Sequence, residues 1–100
     1  MKYKKLYVIQ RLDLDPVYCS VQAGHAVAAF VLKYPTLWKN GTLIYLGVSN
    51  EDELKYWKEK IYIKDIQHYA EFREPDINDQ ITAIAVLTDK NVFSKLKLIV

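Results

Sequence analysis

The stretch from Ser20 to Phe30, which reads S-V-Q-A-G-H-A-V-A-A-F, constrains the fold more than any other part of this sequence. Its apolar residues recur with helical spacing, and most of its side chains are small. A glycine inside a helix costs about 1 kcal/mol relative to alanine, so we expect Gly24 and Ala28 to pack closely against a sheet in compensation. Gln22 and His25 lie three residues apart and project from nearly the same face. They are either functional groups or polar residues satisfied inside the core.

The size and composition of the chain restrict its class. One hundred residues make a single domain, residues 1–100, with 51% hydrophobic and 26% charged residues. A net charge of +2 is small for a broad nucleic-acid surface, so any RNA contact should be local. The single cysteine, Cys19, cannot form an internal disulfide and suits a cytoplasmic protein. No apolar run approaches the roughly 18 residues that a membrane span needs, so we expect no membrane partner.

Capping residues predict where two helices begin. Asp15 followed by Pro16 is a favourable helix start, and the helix should continue to about Lys33, before Pro35. Asn50, with a glutamate three residues later, predicts a capping box at the start of a second helix. Apolar runs predict four strands and a short closing helix, at residues 6–9, 43–48, 66–72, 80–87 and, for the helix, 91–98.

The order of these elements predicts the topology. The pattern strand–helix–strand–helix–strand is typical of right-handed crossovers, which make the first three strands parallel. The link to the fourth strand is too short for a helical crossover, so that strand should be antiparallel. The sequence therefore predicts an α/β fold, specifically a three-layer α/β/α sandwich with a mixed four-stranded sheet.

Polar residues concentrate where the carboxyl ends of the predicted strands meet, which is where open α/β sheets bind ligands. Arg11 and Asp13 follow the first strand, Tyr18 and Gln22 lie early in the next helix, and Arg73-Glu74 follow the third strand. Two histidines and one cysteine have no zinc-site spacing, and three glycines form no phosphate-binding loop. We therefore expect a ligand site at this edge that needs neither metal nor cofactor.

Several motifs resemble the type-2 peptidyl-tRNA hydrolase family, the archaeal and eukaryotic kind. Its R-x-D-L pattern after the first strand is similar to Arg11-Leu12-Asp13-Leu14, and its A-A-Q-C-G/S-H-A helix is similar to Ser20-Val21-Gln22-Ala23-Gly24-His25-Ala26. Its acidic start of the second helix resembles Asn50-Glu51-Asp52-Glu53-Leu54, and its R-D pair after the third strand resembles Arg73-Glu74. The resemblance covers nearly the whole chain.

The resemblance implies hydrolysis of the ester between a peptide and the 3′ end of tRNA, by a homodimer. Eight tyrosines and two tryptophans also suggest an aromatic interface. Tyr18 stands where the family has its catalytic lysine, so the alternative is a non-catalytic binding module for an RNA end, a nucleotide or a protein partner. The implied catalytic residues are Gln22, His25, Glu74 and Asp76, and the implied substrate-binding residues are Arg11, Asp13, Tyr18, Arg73 and Asn78.

Overall fold

A mixed five-stranded sheet and two long helices make up the computed structural model, which describes residues 4–99. The sheet order is β3-β4-β1-β2-β5, with β1 and β2 parallel. Strand β4 is antiparallel to both β1 and β3, so the first three strands share one direction, as predicted. The elements are β1 (Lys5–Arg11), α1 (Pro16–Lys33), β2 (Leu43–Val48), α2 (Glu51–Ile63), β3 (Tyr69–Glu74), a 3₁₀ turn (Pro75–Ile77), β4 (Gln80–Thr88) and β5 (Lys97–Leu98).

Both helices begin at the predicted capping residues. The Asp15 carboxylate accepts a hydrogen bond of 3.0 Å from the backbone N–H of Val17, and α1 runs from Pro16 to Lys33. In α2, the Asn50 side chain accepts from the N–H of Glu53 at 3.0 Å. The Glu53 carboxylate accepts a hydrogen bond of 2.6 Å from the backbone N–H of Ser49. In a standard capping box it would accept from the N–H of Asn50 instead. Local side-chain chemistry therefore fixes where each helix begins.

The two helices cover opposite faces of the sheet. Because strand side chains alternate between faces, Leu6 and Val8 of β1 contact the α1 side, whereas Ile9 contacts the α2 side. On the α1 side the core includes Ala23, Ala26, Phe30, Ala70, Ala83, Ala85 and Leu87. On the α2 side it includes Leu46, Val48, Leu54, Ile61, Ile66, Ile81, Ile84, Val86 and Phe93. Within residues 4–99, no helix has the length and apolar character required to cross a membrane.

The predicted count of four strands is wrong, because a fifth strand replaces the predicted closing helix. Residues 91–98 contain turns and then β5, which pairs antiparallel with Leu46 and Gly47 of β2. Phe93 is buried against the α2-side core, and the N–H of Ile99 donates to Tyr45 at 2.8 Å. An isolated helix of two turns is marginal in water, so pairing with the open edge of β2 prevails.

The third strand also starts later than predicted, at Tyr69 rather than Ile66. Ile66 belongs to the end of α2, where its N–H bonds to the carbonyl of Ile61 at 3.1 Å. Asp65 adopts a left-handed conformation with φ of 57°, and this backbone closes the helix in a Schellman-type arrangement. The apolar side chain of Ile66 therefore completes the helix terminus and the α2-side core.

The expected packing of Gly24 and Ala28 against the sheet is wrong, because both residues are exposed. A Cβ atom at Gly24 would meet nothing within 4 Å. The sheet-facing residues of α1 instead include Ala23, Ala26 and Phe30. Phe30 is the largest apolar side chain of the stretch, and its burial sets the rotation of the helix. Six residues earlier, at about 100° per residue, Gly24 points away.

Candidate functional site

A chain of hydrogen bonds connects the sheet, helix α1 and the end of β3. The hydroxyl of Thr82 donates to the Gln22 carbonyl oxygen at 2.7 Å. The Gln22 amide nitrogen donates in turn to a carboxylate oxygen of Glu74 at 2.8 Å. Because Thr82 can supply a proton only to the oxygen end of the amide, this bond fixes the orientation of the Gln22 amide. Gln22 and Thr82 are fully buried, whereas Glu74 is partly exposed.

Further polar groups surround the Glu74 carboxylate. The Tyr18 hydroxyl hydrogen-bonds to it, and the backbone N–H of Asp76 donates to its second oxygen at 3.4 Å. His25 stacks on Phe72 with a ring-centroid distance of 4.3 Å and an interplanar angle of 9°. Of the predicted catalytic residues, Gln22, His25, Glu74 and Asp76 therefore meet at the end of β3, together with Tyr18. We call Tyr18, Gln22, His25, Glu74 and Asp76 the Glu74 cluster.

The hydrogen bonds of the cluster separate the pKa values of its two acidic groups. The bond from Gln22 is the main reason that the pKa of Glu74 lies below its usual range, and Tyr18 and His25 contribute in the same direction. Burial raises the pKa of Tyr18, and so does its bond to the Glu74 carboxylate. At neutral pH the cluster therefore presents an ionised carboxylate beside a protonated phenol. That pair can accept a proton or hydrogen bond at one atom and donate one at another.

Arg11 and Asp13 form a separate group, apart from the Glu74 cluster. The guanidinium of Arg11 donates to both carboxylate oxygens of Asp13, at 2.7 and 2.9 Å. It also donates to the side chain of Gln80 at 2.8 Å and to the carbonyl of Ile81 at 3.4 Å. Alternation along β1 places Arg11 on the α2 side, whereas Gln22 lies on the α1 side.

The arrangement around Arg11 is electrostatically self-contained. Its hydrogen bond with Asp13 is the main cause of a raised pKa for Arg11 and of a lowered pKa for Asp13. Arg11 is buried, with only 7% of its surface exposed. Its donors are already used by neighbours within the protein, so this guanidinium serves the structure of the sheet edge and offers little to a phosphate.

The other two predicted substrate-binding residues also lie outside the cluster. Arg73 donates to Glu71 at 2.6 Å and to the carbonyl of Asp79 at 3.3 Å, on the α2 side of β3. Asn78 and Asp79 have φ angles of 60° and 57° in the turn before β4. Asn and Asp tolerate the left-handed region better than most residues, so Asn78 is explained by the shape of this turn.

Sequence reasoning missed three residues that shape the site. Thr82 is a polar residue within the otherwise apolar run of β4, and a hydroxyl at such a position needs a partner. Phe72 supports His25, but an aromatic residue near the end of a strand gives no specific signal. Gln10 is fully buried and donates to the carbonyls of Arg11 and Thr82, at 2.9 and 3.0 Å. Gln10, Gln22 and Thr82 therefore form a buried polar layer beneath α1.

The chemistry open to the Glu74 cluster is that of a carboxylate and neutral donors. Within the described residues, no group of three or more His, Cys, Asp or Glu side chains is arranged to hold a metal ion. Cys19 is buried, and burial raises the pKa of its thiol, which disfavours the nucleophilic thiolate. The cluster can bind a polar group, orient a water molecule, or donate to a developing oxyanion.

Comparisons with known proteins identify the fold and leave the function open. No model of a known protein family matches this chain, and no curated protein matches it. Among solved structures, a protein of unknown function from Agrobacterium tumefaciens strain C58 matches with a TM-score of 0.73. The two sequences are 13% identical, and the match covers 98% of each chain. At this identity the likeness establishes a shared α/β fold.

Proposed function

We propose that this protein is a divergent peptidyl-tRNA hydrolase-like protein that hydrolyses the ester between a peptide or acyl group and the 3′ end of tRNA. The observation that carries the proposal is the bond from Gln22 to Glu74, held in place by Thr82. It joins two residues that the family resemblance assigns to catalysis, and it keeps a carboxylate ionised at the edge of the sheet.

In the proposed reaction, the Glu74 carboxylate accepts a proton from the attacking water, which orients the water toward the ester carbonyl. Once Glu74 has taken that proton, the Tyr18 phenol no longer needs to donate to the carboxylate and donates to the oxyanion that forms on the carbonyl. Gln22 is buried and does not touch the substrate; it positions Glu74. His25, which is exposed and stacked on Phe72, offers its ring to the terminal sugar or base. The ester bond then breaks, Glu74 returns its proton to the departing 3′ oxygen, and the acid and the free 3′ hydroxyl are released.

A second candidate function is a non-catalytic module that binds an RNA end. Two observations favour it. The lowered pKa of Glu74 makes its carboxylate a weak base, whereas general bases work best with a pKa near the operating pH. In addition, no lysine or arginine of residues 4–99 forms an ion pair with Glu74, so the oxyanion would rely on neutral donors.

A turnover assay on peptidyl-tRNA separates the two candidates. We expect the unmodified protein to release peptide, and Glu74→Gln to lower kcat by at least about 10²-fold, the lower end of what losing one key group costs. Asp52→Asn, which removes an exposed carboxylate of α2, is the matched control and should turn over normally. If the unmodified protein releases peptide no faster than buffer alone but still binds tRNA, the hydrolase is rejected and the binding module is retained.

A further inference from the structure

The Glu74 cluster carries negative charge that no cation among residues 4–99 balances. Glu74 ends β3 and is partly exposed, and Asp76 lies in the 3₁₀ turn that follows and is exposed. Within the same residues, no lysine, arginine or histidine forms an ion pair with either carboxylate. Arg73, the neighbour of Glu74 in sequence, bonds instead to Glu71 at 2.6 Å, on the α2 side of β3. The cluster therefore attracts a cation from outside the protein and repels a phosphate.

The groups that hold the Glu74 carboxylate in place leave its charge intact. Gln22 donates to it at 2.8 Å, the Tyr18 hydroxyl donates to it, and the backbone N–H of Asp76 donates to its second oxygen at 3.4 Å. All three donors are neutral. They favour the ionised form, which is why the pKa of Glu74 lies below its usual range. The Asp76 carboxylate lies close enough to Tyr18 to raise the pKa of that phenol as well.

Aromatic rings flank these carboxylates. Tyr18 is half-buried, and the exposed ring of His25 stacks on Phe72 with a centroid distance of 4.3 Å. His25 acts on Glu74 through space and makes no ion pair with it. A carboxylate beside an aromatic face suits an ammonium group, because the carboxylate supplies the opposite charge and the ring face attracts cations. The cluster is thus built for an amine more than for an anion.

Two classes of tRNA ester differ at the point where the cluster lacks a cation. In an aminoacyl ester, the α-amino group is bonded to the carbon next to the ester carbonyl, so it enters the cluster together with that carbonyl. A free α-amino group is protonated below a pKa of about 7.7. In a peptidyl ester the same nitrogen belongs to an uncharged amide. Only the aminoacyl ester therefore brings a positive charge to this place.

The residue at position 18 accounts for the difference from the resembled family. That family has a lysine there, whereas this chain has Tyr18. A lysine would pair with Glu74 and repel an incoming ammonium. The neutral tyrosine leaves both carboxylates without a cation, so a substrate ammonium can supply positive charge beside the developing oxyanion, where such charge is most effective.

We propose that the Glu74 cluster selects aminoacyl esters of tRNA whose α-amino group is free, and that the Asp76 carboxylate binds the ammonium beside the Tyr18 ring. This inference rests on the proposed function for the ester and adds the class of acyl group. Glu74 remains the base that activates water, and Asp76 remains ionised throughout. The two carboxylates thus have separate tasks, and the bonds made and broken are those of the proposed hydrolysis.

Binding of uncleavable probes tests the recognition of the ammonium without requiring hydrolysis. The probes are 3′-amino-3′-deoxyadenosine joined to alanine by an amide bond, with the α-amine either free or acetylated. In NMR titrations at about pH 6.5, where the amine is protonated, the free amine should bind about fivefold more tightly, the value of one exposed ion pair. Asp76→Asn should abolish this preference. Asp52→Asn, which removes an exposed carboxylate of α2, is the matched control and should retain it.

Equal affinity of the two probes for the unmodified protein would overturn the proposal. So would equally tight binding of alanine amide without adenosine, because the site would then recognise any small amine. Circular dichroism of Asp76→Asn should match that of the unmodified protein, since the bond from the Asp76 backbone N–H does not involve the substituted side chain.

Hydrolysis of alanyl-tRNA and N-acetylalanyl-tRNA provides the second measurement. Each rate is divided by the rate in buffer, because a free ammonium itself makes the ester more labile. The unmodified protein should prefer alanyl-tRNA by at least about fivefold in kcat/KM, and Tyr18→Lys should lose that preference because its own ammonium repels the substrate's. Preferential binding of the free-amine probe without hydrolysis would reject the enzyme alone. Equal hydrolysis of both esters, with equal binding of both probes, would reject the selectivity alone.

Discussion

Gln22 and Glu74 are 52 residues apart in sequence, yet the Gln22 amide donates a 2.8 Å hydrogen bond to the Glu74 carboxylate. One partner is fully buried in α1 and the other is partly exposed at the end of β3. The bond therefore holds the partly exposed Glu74 side chain in a position that the buried Gln22 sets. A charge-assisted bond of this kind is stronger than one between neutral groups.

Removing the Gln22 amide should raise the pKa of Glu74. The bond favours the ionised carboxylate and lowers that pKa, so Gln22→Met moves it back toward the ordinary value near about 4.3. Carbon-detected NMR titration of the Glu74 carboxyl should show the upward shift. If the protein is a hydrolase, the acid limb of kcat/KM should move to higher pH. Gln67→Met changes an exposed glutamine and should alter neither quantity; an unshifted Glu74 titration in Gln22→Met would contradict the role assigned to this bond.

Restoring a cation beside Glu74 should increase hydrolysis. Tyr18 hydrogen-bonds to Glu74 and stands where the resembled family has its lysine. In Tyr18→Lys, the ammonium can stabilise the developing oxyanion, so we expect kcat on peptidyl-tRNA to rise at least tenfold, or about 1.4 kcal/mol in barrier. Tyr56→Lys adds the same charge on α2 and should not change kcat. If the unmodified protein already hydrolyses peptidyl-tRNA well and Tyr18→Lys does not change kcat, the lysine is dispensable.

The pair of Arg11 and Asp13 should make stability depend on acid pH. The folded-state pKa of Asp13 is lowered by Arg11, so the unfolded chain takes up the proton first. The stabilisation is present above the ordinary pKa near about 4 and is lost as the pH falls below it. Asp13→Asn should cost about 2 kcal/mol at pH 7, less than a fully buried pair, because 37% of the Asp13 side chain is exposed.

Urea unfolding at pH 7 and about pH 3 measures this effect. The loss of stability between the two pH values should be smaller in Asp13→Asn than in the unmodified protein. Asp89→Asn removes an exposed carboxylate that has no ion pair within residues 4–99, and it should leave the pH dependence unchanged. Because the Arg11 donors are already used, Arg11→Ala should destabilise the fold without changing the salt dependence of RNA binding.

Gly24 and Gly47 should respond in opposite ways to substitution by alanine. Gly24→Ala should stabilise the protein by about 0.5–1 kcal/mol, because the added methyl meets open space and alanine favours the helix. Gly47→Ala should destabilise it, since the added Cβ would lie 2.5 Å from Cδ1 of Leu12 and 3.1 Å from Cδ1 of Ile99. Thermal unfolding of both variants decides the matter, and a destabilised Gly24→Ala would mean that α1 is rotated from the orientation described.

We also propose that the exposed face of α1 joins two copies of the protein. No Asp, Glu, Lys or Arg occurs from Val17 to Leu32, although these two residues are 76% and 83% exposed. A face that meets its own copy across a twofold axis must be self-complementary, and an uncharged face avoids like-charge repulsion. Light scattering at tens of micromolar should show a dimer, and Val21→Asp should give a monomer. Ile63→Asp, at an exposed residue of α2, is the control; a monomeric unmodified protein would contradict the proposal.

Much of the fold could be predicted because its signals are local. Asp15, Pro16 and Asn50 act on backbone groups within a few residues, so the helix starts follow from short stretches of sequence. The rotation of α1 could not be predicted in the same way. The alanine and glycine residues of α1 differ little in apolar area, so they do not show which side of the helix faces the sheet. The spacing of Ala23, Ala26 and Phe30 does show it, because these three residues lie on the buried face.

The candidate site was harder to predict because its bonds join distant parts of the chain. The edge of the sheet was correctly expected to gather Gln22, Tyr18 and Glu74. Which face each side chain occupies depends on strand register, and this separated Arg11 from Gln22 although both lie near the same edge. The fifth strand forms because β2 has a free edge in the folded sheet. No single segment of the sequence shows that this edge is free.

The shortness of β5 affects how readily copies of the protein can aggregate through their sheet edges. Its two residues, Lys97 and Leu98, cover the edge of β2, while Lys33 occupies a carbonyl on the opposite edge at β3. Open strand edges are templates for intermolecular pairing, and lysines and very short strands are common defences. Deleting β5 would uncover the edge of β2, whose residues Leu46 to Val48 are buried and apolar in character. The deletion should therefore promote fibril formation, even with the Glu74 cluster intact.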